Sequence, residues 1–112
     1  MDGIVSLLDN QHRDRVQALW AELEREFGLR GVFATRFPHF SYHVAEVYHN
    51  DRLAPILARF APSHAPLLAR TTGLGIFTGA QPVVFIPVVR TPNLTRLHQE
   101  LWWAVDGTTE GT

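Results

Sequence analysis

The residues best suited to chemistry lie in the segment 38–48, where His39, Ser41 and His43 occupy alternate positions. Aromatic and β-branched residues fill the positions between them, which predicts a long strand with these three side chains on one face. Residues two apart on a strand face are about 7 Å apart, so a phosphate-sized group could contact both His39 and Ser41. An imidazole can transfer a proton near neutral pH, and a hydroxyl can donate to a phosphate oxygen. The alternative interpretation is a strand whose polar side chains simply face solvent.

Other kinds of catalytic site have less support in the sequence. His39 and His43 are about 13 Å apart along a strand, which is too far for both to bind one metal ion. The chain has no cysteine, which excludes disulfides, thiolate–metal sites and thiol nucleophiles. No Gly-x-Ser-x-Gly elbow occurs, and the glycine pair at Gly73 and Gly75 is too short for a dinucleotide fingerprint. A metal site, a serine triad and a dinucleotide site are therefore weaker interpretations of this sequence than a phosphate site.

The periodicity of the apolar residues predicts the elements that must position this strand. Turn and cap residues between the periodic runs mark where the elements begin and end. The first strand is a short apolar run with β-branched residues, which predicts burial on both faces. The predicted elements are, in order, a strand at 3–8, a helix from Asp9 or Asn10 to Gly28, the strand at 38–48, a helix from Asn50 or Asp51 to about Pro62, a hairpin of strands at 74–78 and 83–90 in which Pro87 marks an edge or bulge, and a helix from Thr91 to Gly107.

This β-α-β-α-β-β-α order predicts an α+β fold, with a mixed or antiparallel sheet, helices on one face and the other face open. The length of 112 residues predicts a single domain over 1–112. A net charge of -1 excludes the strong basic field that drives non-specific binding to nucleic acid. No apolar run approaches the ~20 residues of a membrane span, and no signal-peptide pattern is present at the N-terminus. We therefore expect a cytoplasmic protein without a membrane partner.

At Pro38-His39-Phe40-Ser41-Tyr42 the chain resembles the two-histidine (2H) phosphoesterase superfamily, which includes the 2′-5′ RNA ligase-like and cyclic nucleotide phosphodiesterase proteins. The mark of that family is a His-x-Thr/Ser-x motif on a strand. The predicted order of elements extends the resemblance over nearly the whole chain. It implies a two-lobed fold in which two such motifs face each other across a cleft, with no metal required. It also implies that one histidine is a general base and the other a general acid on a 2′,3′-cyclic or 2′-5′ phosphodiester.

Carried onto this chain, the resemblance makes His39 one catalytic acid or base and Ser41 one donor to the phosphate. An RNA end or a cyclic nucleotide is the implied substrate. Four further residues lie beside the motif or at a strand end and are candidate substrate contacts. These residues are Arg36, Tyr42, His43 and Arg90.

The chain departs from the family pattern because it contains no second His-x-Thr/Ser motif. We therefore expect it to be the first motif-bearing portion of such a protein, without the strand that carries the second motif. A companion C-terminal segment or a second copy of the chain would then complete the site. The alternative is a non-catalytic binding or dimerisation module derived from the same fold.

Overall fold

The order of the main elements agrees with the order predicted from the sequence. The computed structural model describes residues 1–111 and shows an α+β fold with three α-helices and small two-stranded sheets. The elements are β1 (Asp2–Leu7), α1 (Asn10–Phe27), β2 (His39–Ala45), β3 (Val47–Tyr48), α2 (Asn50–Phe60), β4 (Gly75–Phe77), β5 (Val83–Phe85), α3 (Pro92–Ala104) and β6 (Thr109–Glu110). Short 3₁₀ turns occur at Gly31–Ala34 and Ala61–Ser63.

The chain forms two compact units. The first contains residues 1–48 together with Glu110 and Gly111, and the second contains residues 49–109. The organisation of residues 1–112 as one domain stays a prediction. The first unit holds α1 and the β1–β2 pair, and the second holds α2, α3 and the β4–β5 hairpin.

Helix α1 begins and ends where its cap residues predict. The Asp9 carboxylate accepts a hydrogen bond from the backbone N–H of His12 at 2.8 Å, which satisfies a free donor of the first turn. Gly28 ends the helix in the left-handed conformation with φ 67°, which costs glycine no steric strain. The indole of Trp20 packs edge-on against Phe33, with ring centroids 6.3 Å apart. The caps are local interactions, so the sequence alone was enough to place them.

Strand β1 pairs antiparallel with β2, from Asp2 opposite Ala45 to Leu7 opposite His39. The prediction that β1 is buried on both faces is wrong, because Val5 and Leu7 are exposed. Exposed and half-buried side chains alternate along β1 from Ile4 to Leu7, as in an antiparallel sheet with one face open to solvent.

The single long strand predicted at 38–48 is interrupted. The backbone bends at Glu46, and the short strand β3 that follows pairs with β6. The N–H of Glu46 donates to the carbonyl of Gly111 at 3.3 Å, which ties the end of the described chain to the first unit. Strand β6 was not predicted, because two residues give no detectable periodicity.

In the second unit, Leu53 of α2 and Leu101 of α3 are buried, and Val105 joins them just after α3. Thr91 caps α3 as predicted, with its Oγ1 accepting from the N–H of Leu94 at 3.2 Å. The N-cap of α2 is His49 rather than the predicted Asn50 or Asp51. Helix α3 ends at Ala104, before the predicted stop at Gly107.

The predicted hairpin is present, but its strands are three residues each. Proline has no N–H to give to a ladder, so Pro87 limits the length of β5, and Val88 makes only an isolated bridge to Thr71. The ring of Phe85 stacks on Phe77 with centroids 4.4 Å apart. The same ring lies over Gly75, where an added Cβ would clash with it.

Candidate functional site

A β-bulge on β2 determines which way the motif side chains face. Ile4 lies opposite His43 and Val5 lies opposite Ser41, so Tyr42 is an extra residue between two consecutive pairs. An extra residue shifts the alternation of a strand by one, so the side chains beyond it change face. The burial pattern of the strand reverses at this point.

His39 and Ser41 are exposed, whereas His43 and Ala45 are buried. The sequence places His43 on the face of His39 and Ser41, and the structure does not. The bulge is the physical reason, because the period of two on which the prediction depends does not continue through it. The structure therefore brings together His39 and Ser41 on one exposed strand face.

The imidazole of His39 is held in one tautomer by its own backbone. Its Nδ1 lies 2.7 Å from the carbonyl oxygen of Phe37. A carbonyl oxygen only accepts, so Nδ1 carries the hydrogen and the neutral ring has its lone pair on Nε2. This side chain is the first residue of β2 and follows the buried Pro38. The arrangement leaves Nε2 as the atom suited to accept or return a proton.

Ser41 lies two residues beyond His39 in the part of β2 that precedes the bulge. In the β1–β2 ladder, Ser41 lies opposite Val5 and His39 lies opposite Leu7, with one pair between them. Residues in this relation are roughly 7 Å apart, which is the separation that one phosphate group can bridge. An imidazole and a hydroxyl group therefore share one exposed strand face.

His43 occupies a different environment, with only 6% of its surface exposed. Its Nδ1 lies 2.7 Å from the hydroxyl oxygen of Tyr48, and that hydroxyl lies 3.1 Å from the His43 carbonyl oxygen. The hydroxyl donates to the carbonyl, so Nδ1 donates to the hydroxyl oxygen. Burial, and then the negative charge of Asp2, raise the pKa of Tyr48. The pair links β2 to β3 inside the first unit.

The remaining predicted contacts are divided between the units. Arg36 is exposed three residues before His39, and Tyr42 is half-buried at the bulge, both in the first unit. Arg90 is exposed in the second unit, directly before the cap of α3. Their roles as substrate contacts stay predictions.

Two clusters in the second unit were not predicted as sites. His64 stacks on Phe60, and its Nε2 lies 2.6 Å from Oε2 of Glu100. No local pattern could indicate this pair, because its members are far apart in sequence. The second cluster lies on α3, where an open surface depression of about 260 Å³ is lined by His98, Gln99, Trp102 and Trp103.

Within residues 1–111, no group of three or more histidine or acidic side chains is arranged to hold a metal ion. No helix in the same part of the chain is long and apolar enough to cross a membrane.

Comparison with protein-family models matches residues 9–110 to the 2′-5′ RNA ligase superfamily. This chain belongs to the 2′-5′ RNA ligase superfamily. The match confirms the resemblance indicated by the His-x-Ser motif and the order of elements. Comparisons with curated proteins and with solved structures found no match.

The range matched to the 2′-5′ RNA ligase superfamily contains the whole exposed face of β2 that carries His39 and Ser41. It also contains α2, the hairpin and α3. The superfamily assignment therefore extends over both compact units.

Proposed function

We propose that this member of the 2′-5′ RNA ligase superfamily acts on 2′,3′-cyclic or 2′-5′ phosphodiesters, at RNA ends or in cyclic nucleotides. One observation carries the proposal: His39 has its Nδ1 held by the Phe37 carbonyl, and it shares an exposed strand face with Ser41. Imidazole and hydroxyl groups can supply proton transfer and charge stabilisation together, so the proposed reaction uses no metal and no organic cofactor. We further expect the protein to act in the cytoplasm.

In the hydrolytic direction, the general base takes a proton from water as the water oxygen bonds to phosphorus. The general acid gives a proton to the ribose oxygen as the bond from that oxygen to phosphorus breaks. His39 can serve in either step, since its Nε2 accepts a proton when neutral and donates one when charged. The hydroxyl of Ser41 donates to a non-bridging oxygen, where negative charge builds up during the reaction.

The two proton transfers need a second titratable group opposite His39. The sequence has one His-x-Ser motif. We propose that a companion C-terminal segment or a second copy of the chain supplies the other group. Arg36, Tyr42 and Arg90 are the proposed further contacts to the substrate. The guanidinium groups suit phosphate oxygens and the phenol ring suits a base or ribose.

The test follows a 2′,3′-cyclic nucleotide by ³¹P NMR, for both binding and turnover. We expect His39→Ala to abolish turnover and Ser41→Ala to slow it by about 100-fold, the usual effect of removing one donor to a developing charge. The matched controls are His12→Ala on α1 and Ser6→Ala on β1, which leave both quantities unchanged.

If the chain alone does not hydrolyse the cyclic nucleotide, its binding of that nucleotide tests the proposed site instead. His39→Ala should then weaken binding of the cyclic nucleotide, while His12→Ala should not. Equal binding and turnover by the chain and by His39→Ala would contradict the proposed site. A chain that neither binds nor hydrolyses the nucleotide would contradict the proposed function.

A second candidate function is a non-catalytic binding or dimerisation module. Nineteen large apolar side chains are exposed among the described residues, which favours an association role. A chain that stays monomeric at high concentration and hydrolyses the nucleotide by itself would exclude this candidate.

A further inference from the structure

Helix α3 carries two exposed tryptophans on one side. Trp103 is 71% exposed and Trp102 is 47% exposed. Together with His98 and Gln99 they line the open depression of about 260 Å³ on the surface of the helix. The third tryptophan of the chain, Trp20, is half-buried. Indoles contribute large areas to binding interfaces, so two of them exposed side by side indicate a binding surface.

The indole of Trp102 is held in place by a neighbouring side chain. Its Nε1 donates to Nε2 of His98 at 2.9 Å, and the two rings meet edge-on with centroids 6.1 Å apart. His98 lies four residues before Trp102, so the helix backbone keeps the two side chains next to each other. A ring that is already fixed loses little conformational freedom when a ligand packs on it. The depression is therefore suited to stacking by a flat, aromatic group.

The second unit carries positive charge without matching negative charge. Residues 52–99 contain five arginines and no aspartate or glutamate. None of these five arginines belongs to an ion pair in the part of the chain that the structure describes. In the first unit, by contrast, Arg13, Arg25 and Arg30 each pair with an acidic side chain. The net charge of -1 for the whole chain therefore conceals a local positive potential that attracts anions.

Arg96 brings this positive charge to the tryptophan side of α3. The residue is exposed, and it precedes Gln99 by three positions and Trp103 by seven, spacings that place all three on one side of a helix. Glu100 lies four residues after Arg96, but its carboxylate Oε2 lies 2.6 Å from Nε2 of His64. The guanidinium group of Arg96 therefore shares a helix side with the tryptophans and makes no ion pair within residues 1–111.

Single-stranded nucleic acid is the ligand that this combination suits, because its bases stack on aromatic rings and its phosphates bind arginine. Two other occupants suit it less. A face-to-face two-fold contact would bring Arg96 of one copy towards Arg96 of the other, and like charges repel. A lipid surface takes up the apolar face of a helix, and in α3 that face contains Leu101, which is buried inside the protein.

We propose that one face of α3, formed by Arg96, Gln99, Trp102 and Trp103, binds a single-stranded stretch of RNA. We call these four residues the tryptophan face. A base stacks on the indoles, the amide of Gln99 offers a donor and an acceptor to the edge of that base, and Arg96 contacts a phosphate. The choice of RNA as the nucleic acid rests on the proposed function. The inference adds that the substrate is an oligonucleotide rather than a mononucleotide.

Fluorescence anisotropy of a labelled single-stranded oligoribonucleotide tests the proposal. The oligoribonucleotide ends in a 3′-hydroxyl, so it offers no cyclic phosphodiester. We expect Trp103→Leu to raise its dissociation constant by about 10-fold, which is the usual effect of removing one stack between a base and an aromatic ring. The matched control is Phe27→Leu on α1, which removes a ring that is also 71% exposed and should leave the dissociation constant unchanged.

The dependence of binding on salt separates the contribution of charge from that of stacking. Each phosphate contact to a single strand contributes about 0.7 to the slope of log affinity against log salt concentration. Arg96→Gln should reduce the slope by about this amount, whereas Trp103→Leu should lower the affinity and leave the slope unchanged. The matched control is Arg15→Gln, which removes an exposed arginine of α1 and should change neither quantity.

Three results would each overturn the proposal. The first is an unaltered chain that does not bind the oligoribonucleotide, and the second is equal binding by the unaltered chain and Trp103→Leu. The third is equal affinity for a duplex of the same sequence, whose bases are already stacked on one another. A chain that binds the oligoribonucleotide through Trp103 but neither binds nor hydrolyses the cyclic mononucleotide would contradict the proposed phosphodiester chemistry alone, so the two proposals fail separately.

Discussion

Nε2 of His64 lies 2.6 Å from Oε2 of Glu100, although 36 positions separate the two residues in the chain. Nδ1 of the same ring lies 2.8 Å from the carbonyl oxygen of Phe60. Both ring nitrogens therefore face acceptors, an arrangement that favours the charged imidazolium. The Phe60 carbonyl, and then the Glu100 carboxylate, raise the pKa of His64 despite partial desolvation. The pair connects the turn after α2 to α3 within the second unit.

This geometry predicts a pH-dependent contribution to stability. A raised pKa in the folded state means that the contribution is fully present below the unfolded value of about 6.5. This contribution is lost as the pH rises through the pKa of His64 in the folded state, which is higher than the unfolded value. We expect the unfolding temperature to fall over that range in the unaltered chain and to fall less in His64→Gln. Glu100→Gln should behave like His64→Gln, and a full pH response in both variants would show that the pair is not its source.

The contact between Phe85 and Gly75 predicts a cost for any side chain at position 75. Gly75→Ala places a methyl group where the ring of Phe85 now lies, so the ring must move off Phe77. Losing such an aromatic pair costs about 1 kcal/mol. Urea unfolding measures this loss, and Gly31→Ala is the control, since a Cβ at Gly31 meets nothing within 4 Å. Equal stability of the two variants would show that the ring is not seated on Gly75.

The His43–Tyr48 pair predicts that one hydroxyl stabilises the first unit. Tyr48→Phe removes the oxygen that accepts from Nδ1 of His43 and the donor to the His43 carbonyl. Removing one partner of a buried hydrogen bond costs about 1 to 3 kcal/mol. Chemical denaturation should show this loss of unfolding free energy when Tyr48→Phe is made in the unaltered chain. The loss should be smaller when the same substitution is made in a His43→Leu chain. Identical losses in both backgrounds would mean that the two side chains are not coupled.

The cap of α3 predicts a further effect on stability. Thr91→Ala removes the oxygen that accepts from the N–H of Leu94, and loss of such a cap costs about 1 kcal/mol. Thr91→Ser keeps the hydroxyl and should retain most of the stability. Thermal unfolding of both variants measures the difference, and a Thr91→Ser variant as unstable as Thr91→Ala would point to lost packing of the methyl group instead.

Features fixed by nearby residues were predictable from the sequence. Asp9, Gly28 and Thr91 act on the backbone within four positions, so the ends they give to helices follow from residue type alone. The short distance along the chain from the Phe77 run to the Val83 run, through glycine and proline, indicated the hairpin in the same way.

Features that depend on a partner strand or a distant residue were not predictable. The bulge at Tyr42 is a shift in the pairing of β2 with β1, and nothing in the β2 sequence itself indicates it. The predicted environment of His43 was wrong for that reason. The His64–Glu100 pair and strand β6 likewise depend on contacts between segments that are far apart in the chain.

Because of the bulge at Tyr42, one seven-residue strand holds one imidazole exposed to solvent and another buried. His39 is in contact with water, while His43 is enclosed, although only three residues separate them. A change of solvent conditions or a bound anion therefore acts on the first ring and leaves the second nearly untouched. A substitution that alters the surroundings of His39 therefore need not disturb His43, which links β2 to β3, so the exposed and the enclosed parts of this strand can be altered independently.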